Sequence, residues 1–252
     1  IWICYNGEVY DWVGPAAELK AQGYSFRNRS DTEFILHAYE AWGIDCIARL
    51  RGMFAFTILD LRRRTAWLVR DRMGLKPLVY ACFDGRLAFG STVRSVLPFL
   101  PDAKREFSVE GIDAYLAHRY IPAPRTVFAS INRLENGHYL RFDLDSRRLE
   151  KVRYWYPQPR AGNWLETLDQ AVEMRTVADR PLGVFLSGGI DSSVIASRLA
   201  TLGHRELHTF TAAFPGSPMD ESGQASEIAD RLKLTNLAIP ISEDIARDFS
   251  RI

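Results

Sequence analysis

Short apolar stretches in the first hundred residues have the spacing of antiparallel β-strands. GMFAFTILD (52–60) and TAWLVRD (65–71) alternate or run apolar around a charged turn. LVYAC (78–82) and RLAFG (86–90) flank an Asp-Gly pair at 84–85, which favours a tight hairpin turn. These four segments predict strands that pair with their neighbours in sequence.

The sequence predicts a helix that begins after Ser30 and ends at Gly43, with a signal at each end. Ser30 and Glu33 have the spacing of a capping box, the run FILHAYEAW follows, and Gly43 provides a stop. The apolar positions that lie mostly on one side of this helix are Phe34, Leu36, Ala38 and Tyr39. Strands and helices mixed in this way indicate an α+β fold for the first part of the chain.

The pattern changes in the last third of the chain, where strands and helices alternate. The predicted order is helix 165–178, strand 180–186, helix 191–202, strand 207–214, helix 217–233 and strand 237–241. Such alternation predicts parallel strands joined by right-handed crossovers, an α/β fold. The helix at 217–233 is expected to begin where the N-cap residue Ser217 is followed by Pro218.

The stretch 142–164 separates these two patterns. It is charged, contains prolines and aromatic residues, and has no sustained hydrophobic period. We therefore interpret it as a connector between a first domain over residues 1–141 and a second domain over residues 165–252.

Composition excludes several classes of protein. The 252 residues are 47% hydrophobic and 25% charged, enough for one large or two smaller cores. Lysine and arginine (32) nearly balance aspartate and glutamate (31), so no strong field would attract nucleic acid or an anionic membrane surface. No apolar run approaches the roughly 20 residues of a membrane-spanning helix.

Cysteine usage points to a reducing, cytoplasmic location. Cys4, Cys46 and Cys82 are odd in number and widely spaced, which argues against a disulfide framework and a zinc site. The chain starts IWICYNGEVY, without methionine or a charged leader, as a fragment would.

FLSGGIDSSV (185–194) lies where a predicted buried strand turns into a helix. Backbone N–H groups and the positive helix end converge on an anion at such a turn. Gly188 and Gly189 would permit positive φ and a close approach of phosphate oxygens. The hydroxyls that could donate to phosphate belong to Ser187, Ser192 and Ser193.

The residues around Gly188 and Gly189 indicate which type of phosphate-binding loop this could be. No G-x-x-x-x-G-K-[ST] motif occurs, and Asp191 stands where a carboxylate would act on phosphate chiefly through Mg²⁺. A serine-hydrolase elbow would need glycine in place of Phe185. A tight turn without a ligand remains an alternative.

SGGIDSS resembles the pyrophosphate loop of N-type ATP pyrophosphatases. Alone, it leaves argininosuccinate, GMP and NAD synthetases and tRNA-thiolating enzymes open. Five motifs precede it in order, namely YNGEVY (5–10), RSDTE (29–33), RGMFAF (51–56), RDRMGLKPL (70–78) and YIPAPRT (120–126). Together they resemble the glutamine-hydrolysing asparagine synthetases over essentially the whole chain, with Val9 and Asp11 as mild departures.

The resemblance implies a fold and an activity for each domain. The first would be an N-terminal-nucleophile glutaminase, an αββα sandwich of two antiparallel sheets, and the second a parallel-sheet ATP pyrophosphatase domain. The enzyme would be a carbon–nitrogen ligase that adenylates aspartate with Mg·ATP, releases pyrophosphate and admits glutamine-derived ammonia through an internal tunnel.

Four residues of the first domain match the glutamine site of that family. Glu8 and Asp31 match the positions that hold the ammonium group of glutamine. Asn6, through its side chain, and Gly7, through its N–H, match the donors to the oxyanion. Taken alone, Asn6-Gly7 also fits a hairpin turn and Asp31 a helix cap.

The family nucleophile is a cysteine at the mature N-terminus, activated by its own α-amino group. Ile1 cannot serve, and Cys4 is expected to be a packed core thiol. The nucleophile is therefore expected upstream of residue 1, and the aspartate site beyond Ile252.

The resemblance also implies an ATP site in the second domain. Leu186 and Ala212 would contact adenine through their main chains, and Asp191 would hold Mg²⁺. The remaining ATP-binding positions are Ser187, Gly188, Gly189 and Ser192.

Two other functions stay open at this point. One is an amidotransferase that acts on another carboxylate, such as a polysaccharide sugar acid, a peptide or a β-lactam precursor. The other is a non-catalytic sensor of glutamine or nucleotide. Homodimer formation also stays open, and no nucleic-acid or membrane partner is expected.

Overall fold

A computed structural model describes residues 1–159, 161–178, 180–204 and 206–241. The chain divides into two compact units, residues 1–159 and residues 160–252. Among the described residues, none of the helices has the length and apolar character needed to cross a membrane.

The first unit is α+β and contains two antiparallel sheets. The larger sheet has the strand order β1-β2-β3-β7-β8 and the smaller one the order β5-β4-β6. The strands are β1 (Trp2–Val9), β2 (Gly52–Asp60), β3 (Thr65–Arg70), β4 (Val79–Phe83), β5 (Arg86–Gly90), β6 (Asn132–Arg133), β7 (His138–Asp143) and β8 (Leu149–Arg153). The α-helices are α1 (Val13–Ala21), α2 (Asp31–Trp42), α3 (Val93–Val96) and α4 (Val109–His118). Short 3-10 helices occupy Gly43–Arg49, Leu97–Phe99 and Asp102–Lys104.

Alternating side chains place the core of this unit on both faces of the larger sheet. Phe54, Phe56 and Ile58 of β2 pack against α1 and α2. Ala55 of β2 points the other way and packs with Tyr80 of β4, in the smaller sheet. Opposite faces of one strand thus contact the helices on one side and the second sheet on the other.

Helix α2 begins as predicted but buries a slightly different face. The Ser30 hydroxyl accepts the Glu33 N–H at 3.3 Å, as in a capping box. The Glu33 carboxylate accepts from backbone N–H groups upstream rather than from Ser30. Ile35 is fully buried and Leu36 only partly, because the core extends on the side of Phe34 and Ala38.

The predicted hairpin between β4 and β5 is confirmed. Asp84 has φ +47° and Gly85 φ +69°, the left-handed values that a two-residue hairpin turn with a right-handed twist requires. The strands that it joins pair from Val79↔Gly90 to Phe83↔Arg86.

The prediction of a connector over 142–164 is wrong for its first half. Residues 138–143 and 149–153 form a hairpin that completes the larger sheet, with Phe142 opposite Leu149. β8 is an edge strand of the described sheet, and its partly buried residues are Leu149 and Val152. An edge strand of this kind carries charged residues, and its sequence therefore lacks a strong apolar period.

The second unit has three parallel strands with helices between them. The strands are β9 (Gly183–Phe185), β10 (His208–Ala213) and β11 (Thr235–Pro240), in the order β11-β10-β9. The helices are α5 (Trp164–Glu173), α6 (Ile190–Thr201) and α7 (Ser222–Leu232). Both strand pairs run parallel, as the alternating pattern predicts.

Two helix boundaries of this unit differ from the prediction. α5 ends at Glu173 rather than at 178. α7 begins at Ser222 rather than at Ser217, because residues 217–220 form a turn in which the Asp220 N–H bonds to the Ser217 carbonyl. The Asp220 carboxylate then accepts the Ser222 N–H at 3.0 Å.

Candidate functional site

β1 is an edge strand, and its unpaired side forms the first candidate site. The Tyr10 N–H bonds to the Arg51 carbonyl toward β2, whereas the Val9 N–H points away and bonds to Asp31 Oδ2 at 2.9 Å. Backbone N–H groups two residues apart on a strand point to the same side. The Gly7 N–H is thus directed to the same free edge as that of Val9.

Asn6 and Gly7 lie in the middle of β1 and do not form a turn. Asn6 is opposite Ala55 and Gly7 opposite Phe54 in an unbroken antiparallel register. The alternative of a hairpin turn at these two residues is therefore wrong.

Gly7 cannot be replaced by a larger residue without a backbone shift. It has φ +149°, and a Cβ on it would lie 2.1 Å from the Met53 carbonyl oxygen. Both constraints select glycine, which lacks the Cβ.

Asp31 joins the first turn of α2 to β1. Its Oδ2 accepts the Tyr5 hydroxyl at 2.6 Å and the Val9 N–H at 2.9 Å. The N-cap of α2 is Ser30, so the alternative of Asp31 as that cap is wrong. The carboxylate contacts the strand that carries Asn6 and Gly7.

Glu8 and Asp31 both act on the Tyr5 hydroxyl. Burial raises the pKa of Tyr5, and the hydrogen bond to Asp31 and the negative charges of Asp31 and Glu8 raise it further. The Glu8 side chain is exposed. The two carboxylates expected to hold an ammonium group thus give this region a negative potential.

The Asn6 side chain is held by a residue that directly follows β5 of the smaller sheet. Its Nδ2 donates to Ser91 Oγ at 3.3 Å, which leaves the second N–H of the amide free to donate elsewhere. Ser91 follows Gly90, the last residue of β5, and precedes Thr92, the N-cap of α3. A Cβ on Gly90 would lie 2.2 Å from Ser95 Oγ, so a larger residue there would displace the Ser95 hydroxyl.

Cys4 is exposed, which contradicts the expectation of a packed core thiol. It lies opposite Thr57 on β1, an edge strand whose alternate positions are open to solvent. Cys46 is the buried cysteine, and burial raises the pKa of its thiol to about 12. Because three residues precede Cys4, its nitrogen belongs to a peptide bond and it has no free α-amino group.

The RDRMGLKPL segment forms a polar network next to the strand partner of Gly7. The buried Asp71 carboxylate accepts backbone N–H groups of Phe54, Met73, Leu75 and Lys76 at 3.0–3.2 Å. The Arg70 guanidinium donates to three carbonyl oxygens of the same region. These bonds fix the 71–78 loop against β2.

In the second unit, the 187–193 loop bonds largely to itself. The Ser187 and Ser192 hydroxyls are 2.9 Å apart, and Ser192 Oγ accepts the Ser187 N–H at 3.1 Å. The Ser193 hydroxyl donates to the Gly189 carbonyl at 2.6 Å. The hydroxyls expected to donate to phosphate are engaged within the loop in this structure.

The expected positive φ of the two loop glycines is wrong. The positive-φ glycines of the described chain do not include Gly188 or Gly189, and Gly189 has φ −78°. A Cβ on Gly188 would instead lie 2.3 Å from Gln224 Oε1, because α7 packs closely against the loop. The close approach of α7, rather than backbone conformation, restricts the size of the residue at position 188.

A carboxylate already contacts this loop. The Gly188 N–H donates to Glu221 Oε2 at 3.2 Å. The neighbouring Asp220 carboxylate accepts the Ser222 N–H at the start of α7. The Glu221 side chain instead reaches across to the loop. The amide of Gly188 is therefore directed at a negatively charged oxygen.

The remaining ATP-site candidates differ in exposure. Asp191 is exposed in the first turn of α6, and Ala212 is exposed on β10. Leu186 is buried, with its N–H bonded to the Phe210 carbonyl and its carbonyl accepting the Thr211 hydroxyl. In the described part of the chain, no group of three or more His, Cys, Asp or Glu side chains forms a metal site.

Three contacts of these sites were not predicted from the sequence. Tyr5 bonds to Asp31, 26 positions away along the chain. Ser91 bonds to Asn6, 85 positions away, and Glu221 bonds to Gly188, 33 positions away. Only Glu221 had a local signal, since it lies among the acidic residues at the start of a predicted helix.

Comparison with known families agrees with both units. A model described as a glutamine amidotransferase domain matches residues 1–155, and an asparagine synthase model matches residues 163–252. The chain belongs to the glutamine-hydrolysing asparagine synthetase family. The expectation drawn from the six motifs is confirmed.

Curated relatives match along nearly the whole chain. Asparagine synthetase [glutamine-hydrolyzing] 1 of Bacillus subtilis is 32% identical over 251 residues, 96% of this chain and 39% of the relative. A putative asparagine synthetase 2 of Methanocaldococcus jannaschii is 32% identical over 92% of this chain and 47% of its own length. Amidase chry2 of Gibberella zeae is 30% identical over 95% of this chain and 39% of its own length. The chain thus spans less than half the length of these relatives.

Proposed function

We propose that the protein hydrolyses glutamine in its first unit and uses the ammonia for ATP-dependent synthesis of asparagine from aspartate. The observation that carries the proposal is the free edge of β1, where the Gly7 N–H and the Asp31 carboxylate face the same side. A hydrogen-bond donor and an anion beside one strand suit a substrate that has both a carbonyl and an ammonium group.

Each residue of this edge has a defined role in the proposal. The Gly7 N–H and the free N–H of Asn6 donate to the oxyanion of the tetrahedral intermediate. Asp31 and Glu8 hold the substrate ammonium, in keeping with the negative potential that both create at Tyr5. The nucleophile in this proposal is a cysteine with a free α-amino group, which Cys4 does not have.

The second unit is proposed to bind ATP as an ATP pyrophosphatase domain. The 187–193 loop with Leu186 and Ala212 would hold the nucleotide, with the phosphates at the loop amides and adenine at the two main-chain positions. The contact between Gly188 and the Glu221 carboxylate supports an anion at these amides. Aspartate would be adenylated, and ammonia would displace AMP.

Mg²⁺ fits the residues that are present. When phosphate oxygens and waters fill most positions around this ion, one or two carboxylates suffice, and Asp191 is exposed in the first turn after the loop. Bound Mg²⁺ would neutralise charge on the phosphates, and Asp191 would hold it.

The deciding experiment is the variant Asp191→Ala in the full-length protein. It should abolish formation of AMP and pyrophosphate while glutamine hydrolysis stays largely intact, because the two activities use different units. Asp230→Ala, at an exposed position of α7, is the matched control and should leave both activities unchanged. Formation of ADP instead of AMP by the parent enzyme would contradict the proposal.

The relative named an amidase favours a second candidate, an amidotransferase with another acceptor. A panel of carboxylates supplied with ATP and glutamine separates the two, since only the acceptor should trigger AMP release. The absence of both hydrolysis and AMP release would favour the sensor. Cytoplasmic location and homodimer formation stay predictions.

A further inference from the structure

We propose that Tyr5 is a positioning residue that orients the Asp31 carboxylate toward the ammonium group of the substrate. The inference rests on the proposed function, because it presumes that Asp31 binds glutamine. It adds a residue that acts through Asp31 rather than by touching the substrate.

The two oxygens of Asp31 have different surroundings. Oδ2 accepts two hydrogen bonds, from the Tyr5 hydroxyl at 2.6 Å and from the Val9 N–H at 2.9 Å. Among the residues that the structure describes, Oδ1 contacts the hydroxyl of the neighbouring Thr32, at 3.5 Å. The first oxygen is fixed to β1, and the second retains the capacity to accept from a ligand.

Fixing one oxygen also fixes the direction of the other. A carboxylate held at Oδ2 by two donors cannot rotate about its Cβ–Cγ bond without breaking a short charge-assisted hydrogen bond. The Val9 N–H alone would oppose this rotation with one longer hydrogen bond, at 2.9 Å, and would hold the carboxylate less firmly. The tyrosine hydroxyl therefore determines where Oδ1 lies relative to the free edge of β1.

Tyr5 is suited to this role because its hydroxyl stays protonated. Burial and the nearby carboxylates of Asp31 and Glu8 raise its pKa, so it donates to Asp31 at every pH at which the enzyme would work. Its ring packs against the core between β1 and α2, which holds the hydroxyl in place.

The test is Tyr5→Phe in the full-length protein, which removes the hydroxyl and keeps the ring. We expect the KM for glutamine to rise about 5- to 20-fold and kcat to change less than about 2-fold, since the oxyanion donors are untouched. Glutaramate, which is glutamine without its α-amino group, should inhibit parent and variant with the same inhibition constant.

Tyr39→Phe is the matched control. The Tyr39 hydroxyl also donates to a buried aspartate, Asp60, at 3.0 Å, in the same unit. Removing it should lower the melting temperature and leave the KM for glutamine unchanged.

The outcomes separate the inference from the function on which it rests. Equal weakening of glutamine and glutaramate, or an unchanged KM in Tyr5→Phe, would overturn the positioning role. Asp31→Asn tests the underlying assumption, because an unchanged KM in that variant would remove Asp31 from the substrate site. A raised KM in Asp31→Asn together with a normal Tyr5→Phe would overturn the inference about Tyr5 alone.

Discussion

The two units hold their candidate sites in different ways. In the first, Asp31 is bound by residues of a strand 22 and 26 positions away, and Asn6 by Ser91, 85 positions away. In the second, the serines and glycines of the 187–193 loop bond mostly to one another within five positions. The first site is assembled by tertiary structure, whereas the second is largely a local turn.

The glycines of the two sites show the same difference. Gly7 is required by its backbone conformation and by the adjacent strand β2. Gly188 is not among the positive-φ glycines, and its close neighbour is a side chain, Gln224, that belongs to α7. A clash with a backbone is harder to relieve than one with the end of a flexible side chain, so substitutions should be tolerated better in the second site.

The largest effect is expected at Gly7. Gly7→Ala places a Cβ 2.1 Å from the Met53 carbonyl at φ +149°, which should destabilise the first unit by at least about 3 kcal/mol and abolish glutamine hydrolysis. Thermal unfolding followed by calorimetry measures the change in stability.

Gly14→Ala is the control in the same unit. Gly14 lies in α1, and a Cβ there would meet nothing within 4 Å. This variant should change the stability by less than about 1 kcal/mol, because the gain in helix propensity is opposed by the restriction that Pro15 places on the residue before it. A Gly7→Ala protein as stable as the parent would show that β1 adapts, and the contrast between the two sites would fail.

An intermediate effect is expected at Glu221. Glu221→Gln removes the negative charge of the carboxylate that accepts the Gly188 N–H. Inorganic pyrophosphate should therefore bind about 3- to 10-fold more tightly to the variant, as measured by titration calorimetry without Mg²⁺. Glu227→Gln, on the exposed side of the same helix, should leave the affinity unchanged. Weaker binding by Glu221→Gln would mean that this carboxylate helps to hold the ligand instead of competing with it.

The smallest effect is expected at the ion pair that joins α5 and α6. Arg198 contacts both carboxylate oxygens of Asp169, at 2.6 and 2.8 Å, and this hydrogen bonding lowers the pKa of Asp169. A carboxyl whose pKa is lower in the folded state stabilises the fold above its unfolded pKa, and the contribution is lost as the pH falls through the folded value.

Asp169→Asn should therefore lower the melting temperature of the second unit slightly at pH 7, and the difference from the parent should shrink as the pH falls below about 4. Calorimetry over a series of pH values measures it. A difference that stays constant with pH would assign the effect to packing rather than to charge.

Most strand and helix positions could be read from the sequence because their signals are local. The hairpin at 84–85, the strand over 52–60 and the capped helix beginning at Asp31 all depend on residues within one element. The hairpin strand over 149–153 was missed, because its partly buried residues, Leu149 and Val152, do not alternate and the rest of this edge strand is charged. The start of α7 was misplaced, because Ser217-Pro218 suits a turn as well as a helix start.

The sequence by itself determined the two kinds of unit, the family and the position of the loop between β9 and α6, since periodicity, turn residues and short motifs are properties of neighbouring residues. Only the tertiary structure decided that Cys4 is exposed, that the glycines of the loop are packed rather than left-handed, and that Tyr5 and Glu221 contact the candidate sites. The reason is physical: exposure and hydrogen bonding depend on which distant segments meet, and β1 has a free edge because none of the other described strands pairs with it on that side.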